Sequence, residues 1–202
     1  KTLKNIIKIS GFGIHTGVKT NVILRPAKED NGIVFIRSDI ENKPKIKALV
    51  QNVFSTERST NLKQNNAEIR TVEHLLAAIA GSEIDNLNIE VDNIEIPILD
   101  GSAKKYSELI SKIGTVHQNK EKKIFEIKRR ISILDKDTGT QLIATPADEY
   151  QLEVEIDFDS KALKKQKAHL NTIKDFDSEI SSSRTFCFFN ELETLIDKDL
   201  IK

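Results

Sequence analysis

The sequence contains one cysteine, Cys187, and neither methionine nor tryptophan. A single cysteine excludes an internal disulfide framework and favours a reducing compartment, so we expect a cytoplasmic protein. No apolar run approaches the roughly 20 residues that a membrane-spanning helix requires, and we therefore expect no membrane span. Because methionine is missing even from the first position, we expect a processed or trimmed piece of a longer protein.

An excess of charge of either sign is also missing. The 31 basic and 31 acidic residues balance, which argues against a general basic surface, so we expect no nucleic-acid partner. Aromatic residues make up only 5% of the chain, yet 38% of its residues are hydrophobic and 31% are charged, a mixture typical of a globular protein. A length of 202 residues suits one large or two small domains.

Residues 71–81 predict an α-helix, because apolar side chains recur at the spacing that forms one stripe. Those apolar residues are Val72, Leu75, Leu76 and Ile79. Thr71 is placed to cap the start of this helix, and Gly81 is placed to end it. The opposite side carries His74, and Glu73 is the only charged residue of the segment. We therefore expect a helix that is packed on both sides.

Glu73 and His74 have two interpretations. A neutral imidazole can bind zinc, and a neighbouring carboxylate can accept a proton from metal-bound water. The pattern His-Glu-x-x-His of many zinc proteases is absent, because position 78 is alanine, so further ligands would come from distant residues. The structural alternative is that Glu73 complements the positive end of the helix dipole and His74 is a hydrogen-bonded interior histidine.

The order of predicted elements divides the chain into residues 1–120 and 121–202, each with strands followed by helices. Strands are predicted at 2–10, 19–25, 32–37, 45–54, 67–70, 86–92, 124–134, 141–145 and 150–158. Helices are predicted at 71–81, 103–113, 173–180 and 189–196. Ser102 is placed to cap the second helix, 55–66 is polar and loop-like, and 115–123 is the expected linker. The second unit lacks a final strand and helix, so we expect an incomplete domain.

Four short segments occur in a fixed order. They are Ser-Gly-Phe-Gly-Ile-His-Thr-Gly (10–17), Thr-Val-Glu-His-Leu-Leu-Ala-Ala (71–78), Glu-Ile-Pro-Ile-Leu-Asp-Gly-Ser (95–102) and Ser-Arg-Thr-Phe-Cys-Phe (183–188). Together they resemble the zinc-dependent UDP-3-O-acyl-N-acetylglucosamine deacetylases of lipid A biosynthesis in Gram-negative bacteria. The resemblance covers essentially the whole chain. It implies an α+β fold of two similar domains, each a mainly antiparallel sheet with helices on one face, packed as a β-α-α-β sandwich.

The resemblance also implies roles for individual residues. Glu73 matches the general base, His74 matches the first zinc ligand, and Thr185 matches the threonine that hydrogen-bonds the reacting acetamide oxygen. Cys187 matches a buried neighbour of the substrate-contacting aromatic residue, so we expect it to serve packing. The reaction so implied is removal of acetate from UDP-3-O-(3-hydroxyacyl)-N-acetylglucosamine, with Zn²⁺ as cofactor.

Substrate contacts implied by the resemblance fall on His15, Phe186 and Glu191. The other zinc ligands of the family lie in a later histidine- and aspartate-containing segment that does not occur here, and neither His117 nor His169 has a matching context. We therefore expect a truncated chain that binds zinc weakly and is inactive alone. Some members of the family continue into a fused dehydratase domain. The alternative function is a non-catalytic α/β module that binds nucleotide sugar or RNA.

Overall fold

Fourteen strands and four α-helices form within residues 1–158, 160 and 163–197, the part of the chain that the computed structural model describes. The strands are β1 (Thr2–Leu3), β2 (Ile7–Phe12), β3 (Lys19–Pro26), β4 (Ile33–Arg37), β5 (Lys45–Lys47), β6 (Val53–Ser55), β7 (Asn61–Gln64), β8 (Ala67–Ile69), β9 (Leu87–Val91), β10 (Thr115–Val116), β11 (Ile131–Leu134), β12 (Gln141–Ala144), β13 (Leu152–Ile156) and β14 (Gln166–Leu170). The α-helices are α1 (Glu73–Gly81), α2 (Lys104–Ile113), α3 (Phe176–Glu179) and α4 (Phe189–Asp197).

The largest sheet has five strands in the order β2–β3–β9–β4–β5. Neighbouring strands are antiparallel, apart from β4 and β9, which run parallel. The alternating sequence of β9 places Leu87, Ile89 and Val91 in the core, because successive side chains of a strand point to opposite faces. The strand predicted at 86–92 is thereby confirmed.

A second sheet joins β6, β7 and β8 in antiparallel order. β7 lies inside 55–66, so the prediction that this polar segment is a loop is wrong. Leu62 pairs with Ile69 and both are buried, so sheet pairing with an apolar contact outweighs the polar composition. The extended stretch predicted at 45–54 is also interrupted, by a 3₁₀ turn at Val50–Asn52.

Helices α1 and α2 pack against each other, and α2 also contacts β2. α1 buries Leu75, Ala78 and Ile79, while α2 buries Tyr106 and Ile110. These side chains join the same buried cluster as the apolar residues of the five-stranded sheet. The helices therefore form a layer against the sheet.

The end of α2 follows the prediction, whereas its start does so only in part, because the N-cap position is Ala103, without a side-chain cap hydrogen bond. Ser102 accepts a hydrogen bond from the backbone N–H of Lys104 at 3.2 Å, although the helical conformation already begins at Ala103. Gly114 ends the helix with a positive φ of 80°, a conformation that glycine adopts without steric penalty.

Two antiparallel hairpins, β11–β12 and β13–β14, form the later part of the chain. The strand predicted at 124–134 is shorter than expected and spans only Ile131–Leu134. The hairpins leave apolar side chains in solvent, among them Ile133, which is 62% exposed, and Leu142, which is 69% exposed. The predicted linker 115–123 begins with β10, which pairs with β1.

The later part nevertheless shares buried residues with the earlier part. Leu170 at the end of β14 and Phe176 at the start of α3 belong to the same buried cluster as α1. A Cβ atom at Gly81 would lie 2.1 Å from Cδ1 of Phe176, so the phenylalanine ring rests directly on the glycine at the end of α1. This close approach requires the absence of a side chain at position 81.

The described residues thus form an α+β protein with several mainly antiparallel sheets and few helices. Among them, none of the helices has the length and apolar character needed to cross a bilayer.

Candidate active site

Glu95 is a buried carboxylate with no exposed surface. One oxygen, Oε1, accepts hydrogen bonds from the backbone N–H of His15 at 3.0 Å and from the hydroxyl of Thr71 at 3.0 Å. The other oxygen, Oε2, accepts from the backbone N–H of Thr16 at 2.8 Å and from its hydroxyl at 2.6 Å. Burial alone would raise the pKa of the Glu95 carboxyl, but these hydrogen bonds outweigh burial and hold the pKa below its ordinary value of 4.5.

Gly13 permits the segment 10–17, the glycine loop, to approach the Glu95 carboxylate. A Cβ atom at position 13 would lie 2.2 Å from Oε2 of Glu95, well inside any allowed contact. The backbone N–H of Gly13 donates to the carbonyl of Val18 at 3.0 Å, which closes the loop that carries His15. Only glycine at this position allows the backbone to approach the carboxylate so closely.

Thr71 does not cap α1 as predicted. Its φ is 58°, a left-handed conformation that is rare for a β-branched residue, and the N-cap position is Val72, without a side-chain cap hydrogen bond. The Thr71 hydroxyl instead donates to Glu95, and its backbone N–H donates to Oδ1 of Asn61 at 3.2 Å. The prediction is wrong because tertiary partners hold Thr71 outside the extended conformation that a capping residue adopts.

Glu73 and His74 form the first turn of α1, and both are half-buried. Oε2 of Glu73 accepts a hydrogen bond from the backbone N–H of Thr60 at 2.9 Å. The backbone N–H of Val72 donates back to the carbonyl of Thr60 at 3.2 Å. The turn before β7 therefore fixes the orientation of the Glu73 carboxylate.

The segment 183–188 lies against the segment 95–102. The backbone N–H of Thr185 donates to the carbonyl of Gly101 at 2.9 Å, and Arg184 forms an ion pair with Asp100 at 3.4 Å. Thr185 itself is exposed.

The segment 95–102 also contacts the glycine loop. The backbone N–H of Ile98 donates to the carbonyl of Phe12 at 3.0 Å. Together with the hydrogen bonds of Glu95, these contacts join all four sequence segments into one connected region.

Cys187 is exposed, so the expectation that it is a buried packing residue is wrong.

Glu191 of α4 is paired with Arg58 from the turn before β7. The guanidinium lies 2.7 Å from Oε1 of Glu191, while Oε2 accepts from the backbone N–H of Phe188 at 3.0 Å. The hydrogen bond from Arg58 is the main reason that the pKa of Glu191 is lowered. Since Thr60 contacts Glu73, this short turn connects α4 to the start of α1.

Three phenylalanine rings form a cluster beside this ion pair. The ring centroids of Phe158, Phe186 and Phe188 are 5.4 to 5.8 Å apart, and each pair meets edge to face. Edge-to-face packing is favourable because the positive edge of one ring meets the negative face of another. A cavity of about 320 Å³ opens here, lined by Arg58, Phe158, Arg184, Thr185, Phe186, Phe188 and Glu191.

The described residues do not assemble a metal site. Within the ranges given above, no group of three His, Cys, Asp or Glu side chains is placed to hold a metal ion. Of the metal-binding side chains that the sequence predicts, only the imidazole of His74 lies at the start of α1. The backbone N–H of His15 donates to Glu95. His117 is exposed, and His169 is exposed on β14, with its Nδ1 atom 3.9 Å from Glu153.

In this α+β fold the half-buried Glu73–His74 pair begins α1 two residues after Thr71, whose hydroxyl donates to the buried Glu95 carboxylate, so this region is the candidate active site. The model of the LpxC family, described as UDP-3-O-acyl N-acetylglycosamine deacetylase, matches residues 1–202. The chain belongs to this family.

Curated relatives agree with that assignment. The chain is 40% identical over 202 residues to a bifunctional enzyme LpxC/FabZ of Porphyromonas gingivalis, matching 100% of this chain and 44% of that protein. It is 41% identical over 203 residues to the UDP-3-O-acyl-N-acetylglucosamine deacetylase of Thioalkalivibrio sulfidiphilus, with 99% and 66% covered. It is 38% identical over 196 residues to the enzyme of that name from Myxococcus xanthus, with 96% and 62% covered. The chain thus spans about half to two thirds of the length of these relatives.

Sequence reasoning missed two residues of this region, Glu95 and Arg58. Glu95 carries a signal that could have been found, because it is the only charge in the otherwise apolar run Ile94–Ile98. Arg58 carries none, since it lies among polar residues of a segment that was predicted to be a loop.

Proposed function

We propose that the protein that carries this chain hydrolyses the acetamide of UDP-3-O-(3-hydroxyacyl)-N-acetylglucosamine, releasing acetate in a step of lipid A biosynthesis. The observation that carries the proposal is the match of the LpxC family model to residues 1–202. The connected region of four segments supports it, because the residues to which the family resemblance gives roles lie on those segments or directly beside them.

Glu73 is the general base in this proposal. A general base accepts a proton from the attacking water and then delivers a proton to the leaving amine, so it needs a fixed orientation. The backbone N–H of Thr60 holds Oε2 of Glu73 at 2.9 Å. Oε1 accepts no hydrogen bond from the described residues, and the side chain is half-buried, so this oxygen is available to a water molecule.

His74 is the one zinc ligand that we assign. The family resemblance implies zinc, and a catalytic zinc needs three protein ligands and an open position. The described residues do not fit that requirement, because no group of three metal-binding side chains occurs among them. We therefore assign no step of the reaction to a metal ion and restrict the mechanism to the residues of this chain.

Thr185 and the phenylalanine cluster form the substrate side of the proposal. Thr185 lines the cavity, and its hydroxyl would donate a hydrogen bond to the oxyanion that develops on the acetamide. Phe186 would contact the sugar and acyl chain from the apolar wall. His15 and Glu191 would contact the substrate from the glycine loop and from α4, where each is already held by hydrogen bonds.

The larger architecture is also a proposal. We infer two similar domains, at 1–120 and 121–202, packed as a β-α-α-β sandwich. A fused second enzyme in the whole protein is supported by relatives whose name is bifunctional enzyme LpxC/FabZ. We place the protein in the cytoplasm, on the strength of its single cysteine and of the nucleotide-sugar substrate.

The direct test is acetate release by the native protein, supplied with Zn²⁺, from UDP-3-O-(3-hydroxyacyl)-N-acetylglucosamine. We expect turnover of this substrate and much slower turnover of UDP-N-acetylglucosamine, because the latter lacks the acyl chain that the phenylalanine cluster would bind. Binding of both compounds without acetate release would contradict the proposal and favour a non-catalytic nucleotide-sugar module.

A further inference from the structure

Glu95 is buried and ionised, and no role has been given to it in the proposed reaction. A charge is rarely taken out of water unless it is compensated, and here the compensation comes from N–H and O–H donors of two separate segments. His15 and Thr16 belong to the glycine loop, while Thr71 lies two residues before Glu73. One carboxylate thus holds the loop and the start of α1 together.

The neighbourhood of Glu95 shows that its position is constrained on both sides. Gly13 has no room for a Cβ atom, which would lie 2.2 Å from Oε2. Thr71 is held in a left-handed conformation with φ 58°, which is strained for a β-branched residue and persists only where surrounding contacts enforce it. Strained backbone of this kind clusters where a structure positions functional groups. The strain lies directly before the Glu73–His74 pair.

We propose that Glu95 is a positioning residue, whose carboxylate holds the His15 loop in register with Glu73 and His74. The expected effect on kcat rests on the proposed function. The clamp, by which we mean the hydrogen bonds from His15, Thr16 and Thr71 to the Glu95 carboxylate, is a property of this fold. Glu95 does not touch the reacting atoms in this account. It acts by fixing the backbone of the glycine loop and of the start of α1, which carry the residues assigned to substrate contact and catalysis.

Glu95→Gln is the informative substitution because it keeps the size of the side chain. Each carboxylate oxygen accepts one backbone N–H, that of His15 on Oε1 and that of Thr16 on Oε2. Whichever way the glutamine amide is placed, its NH₂ group faces one of these N–H donors, and two donors cannot bond to each other. The clamp must therefore open on at least one side.

Two control variants separate positioning from stability. Glu90→Gln makes the same chemical change on β9, where Glu90 pairs with Arg25 at 2.8 Å and touches neither segment. Tyr106→Phe removes a buried hydrogen bond to the carbonyl of Pro97, so it lowers stability next to the same segment without altering the partners of Glu95.

The experiment measures hydrogen exchange and steady-state kinetics on the native protein and the three variants. We expect Glu95→Gln to accelerate exchange of residues 13–18 and 70–74 together, and to lower kcat about 10- to 100-fold, the range typical of residues that orient catalytic groups. Both controls should keep wild-type exchange in these two segments and nearly wild-type kcat.

Three outcomes would overturn the proposal. They are unchanged exchange in Glu95→Gln, faster exchange with wild-type kcat, and an equal loss of kcat in Tyr106→Phe, which would show that stability alone is responsible. Wild-type protein that releases no acetate would count against the proposed function instead, and the exchange of the two segments would then still decide whether the clamp exists.

Discussion

At the scale of single residues, the charge of Glu95 makes the fold sensitive to acid. Its pKa in the folded protein lies below the ordinary value of 4.5, because the donors of Thr16, His15 and Thr71 favour the ionised form. A group whose pKa is lowered by folding stabilises the folded state above its unfolded pKa. That contribution is lost as the pH falls through the pKa of the folded state.

This linkage predicts the pH dependence of the Glu95→Gln variant. The difference in free energy of unfolding between the wild type and Glu95→Gln should be constant above about pH 5.5, where Glu95 is ionised in both states. It should shrink below about pH 4.5, the ordinary glutamate value. Urea unfolding at a series of pH values measures this difference directly. If this difference in free energy of unfolding stayed constant down to the lowest pH at which the protein folds, it would contradict the claim that folding lowers the pKa of Glu95.

Other residues show what the sequence could predict of the site. The Glu73–His74 pair and its place in the first turn of a helix followed from local periodicity alone. The partners of Glu95 did not, since His15 and Thr16 are 80 and 79 positions away in the chain. Periodicity reports which face of an element is buried, whereas it carries no information about which distant donors meet a buried carboxylate.

At the scale of elements, the end of α1 depends on the absence of a side chain at Gly81. In an isolated helix, glycine is about 1 kcal/mol less favourable than alanine, so propensity alone would favour alanine here. The ring of Phe176 occupies the space where a Cβ atom would lie, 2.1 Å from Cδ1. Packing between α1 and α3 therefore overrides helix propensity at this position.

Gly81→Ala should destabilise the protein by about 1–3 kcal/mol, the usual range for overpacking a core. Phe176→Leu gives the new methyl group more room, so the double variant should lose less stability than the sum of the two single variants. Chemical unfolding of the wild type, both single variants and the double variant measures this coupling. A Gly81→Ala variant as stable as the wild type would show that propensity dominates after all.

The balance between local sequence pattern and tertiary contacts also explains which elements the sequence could predict. Helices α1 and α2 and strand β9 were predicted because their apolar residues repeat at the period of the element. Strand β7 was missed because only Leu62 is apolar in Asn61–Gln64, and its pairing with β8 supplies the stability that composition does not show. The start of α1 was placed wrongly for a related reason, since the hydroxyl of Thr71 is bonded to Glu95.

At the scale of the whole molecule, four segments that are far apart in the sequence lie in one region. The glycine loop meets α1 through Glu95, and residues 95–102 meet 183–188 through Gly101 and Thr185. The buried cluster also extends from the five-stranded sheet to Leu170 and Phe176. The chain belongs to the LpxC family, and in the proposed function Glu73, on one of these four segments, is the general base.

The most direct measurement is therefore turnover and bound zinc in the native protein with Glu73→Gln. Glutamine keeps the hydrogen bond from Thr60 but cannot accept a proton, so turnover should fall about 10²- to 10⁴-fold while bound zinc is unchanged. Glu68→Gln is the matched control, because Glu68 is also half-buried but pairs with Arg70 at 2.7 Å. It should keep both turnover and zinc. The assignment of Glu73 as the general base would be contradicted if Glu73→Gln lost bound zinc to the same extent as turnover. It would also be contradicted if that variant kept wild-type turnover.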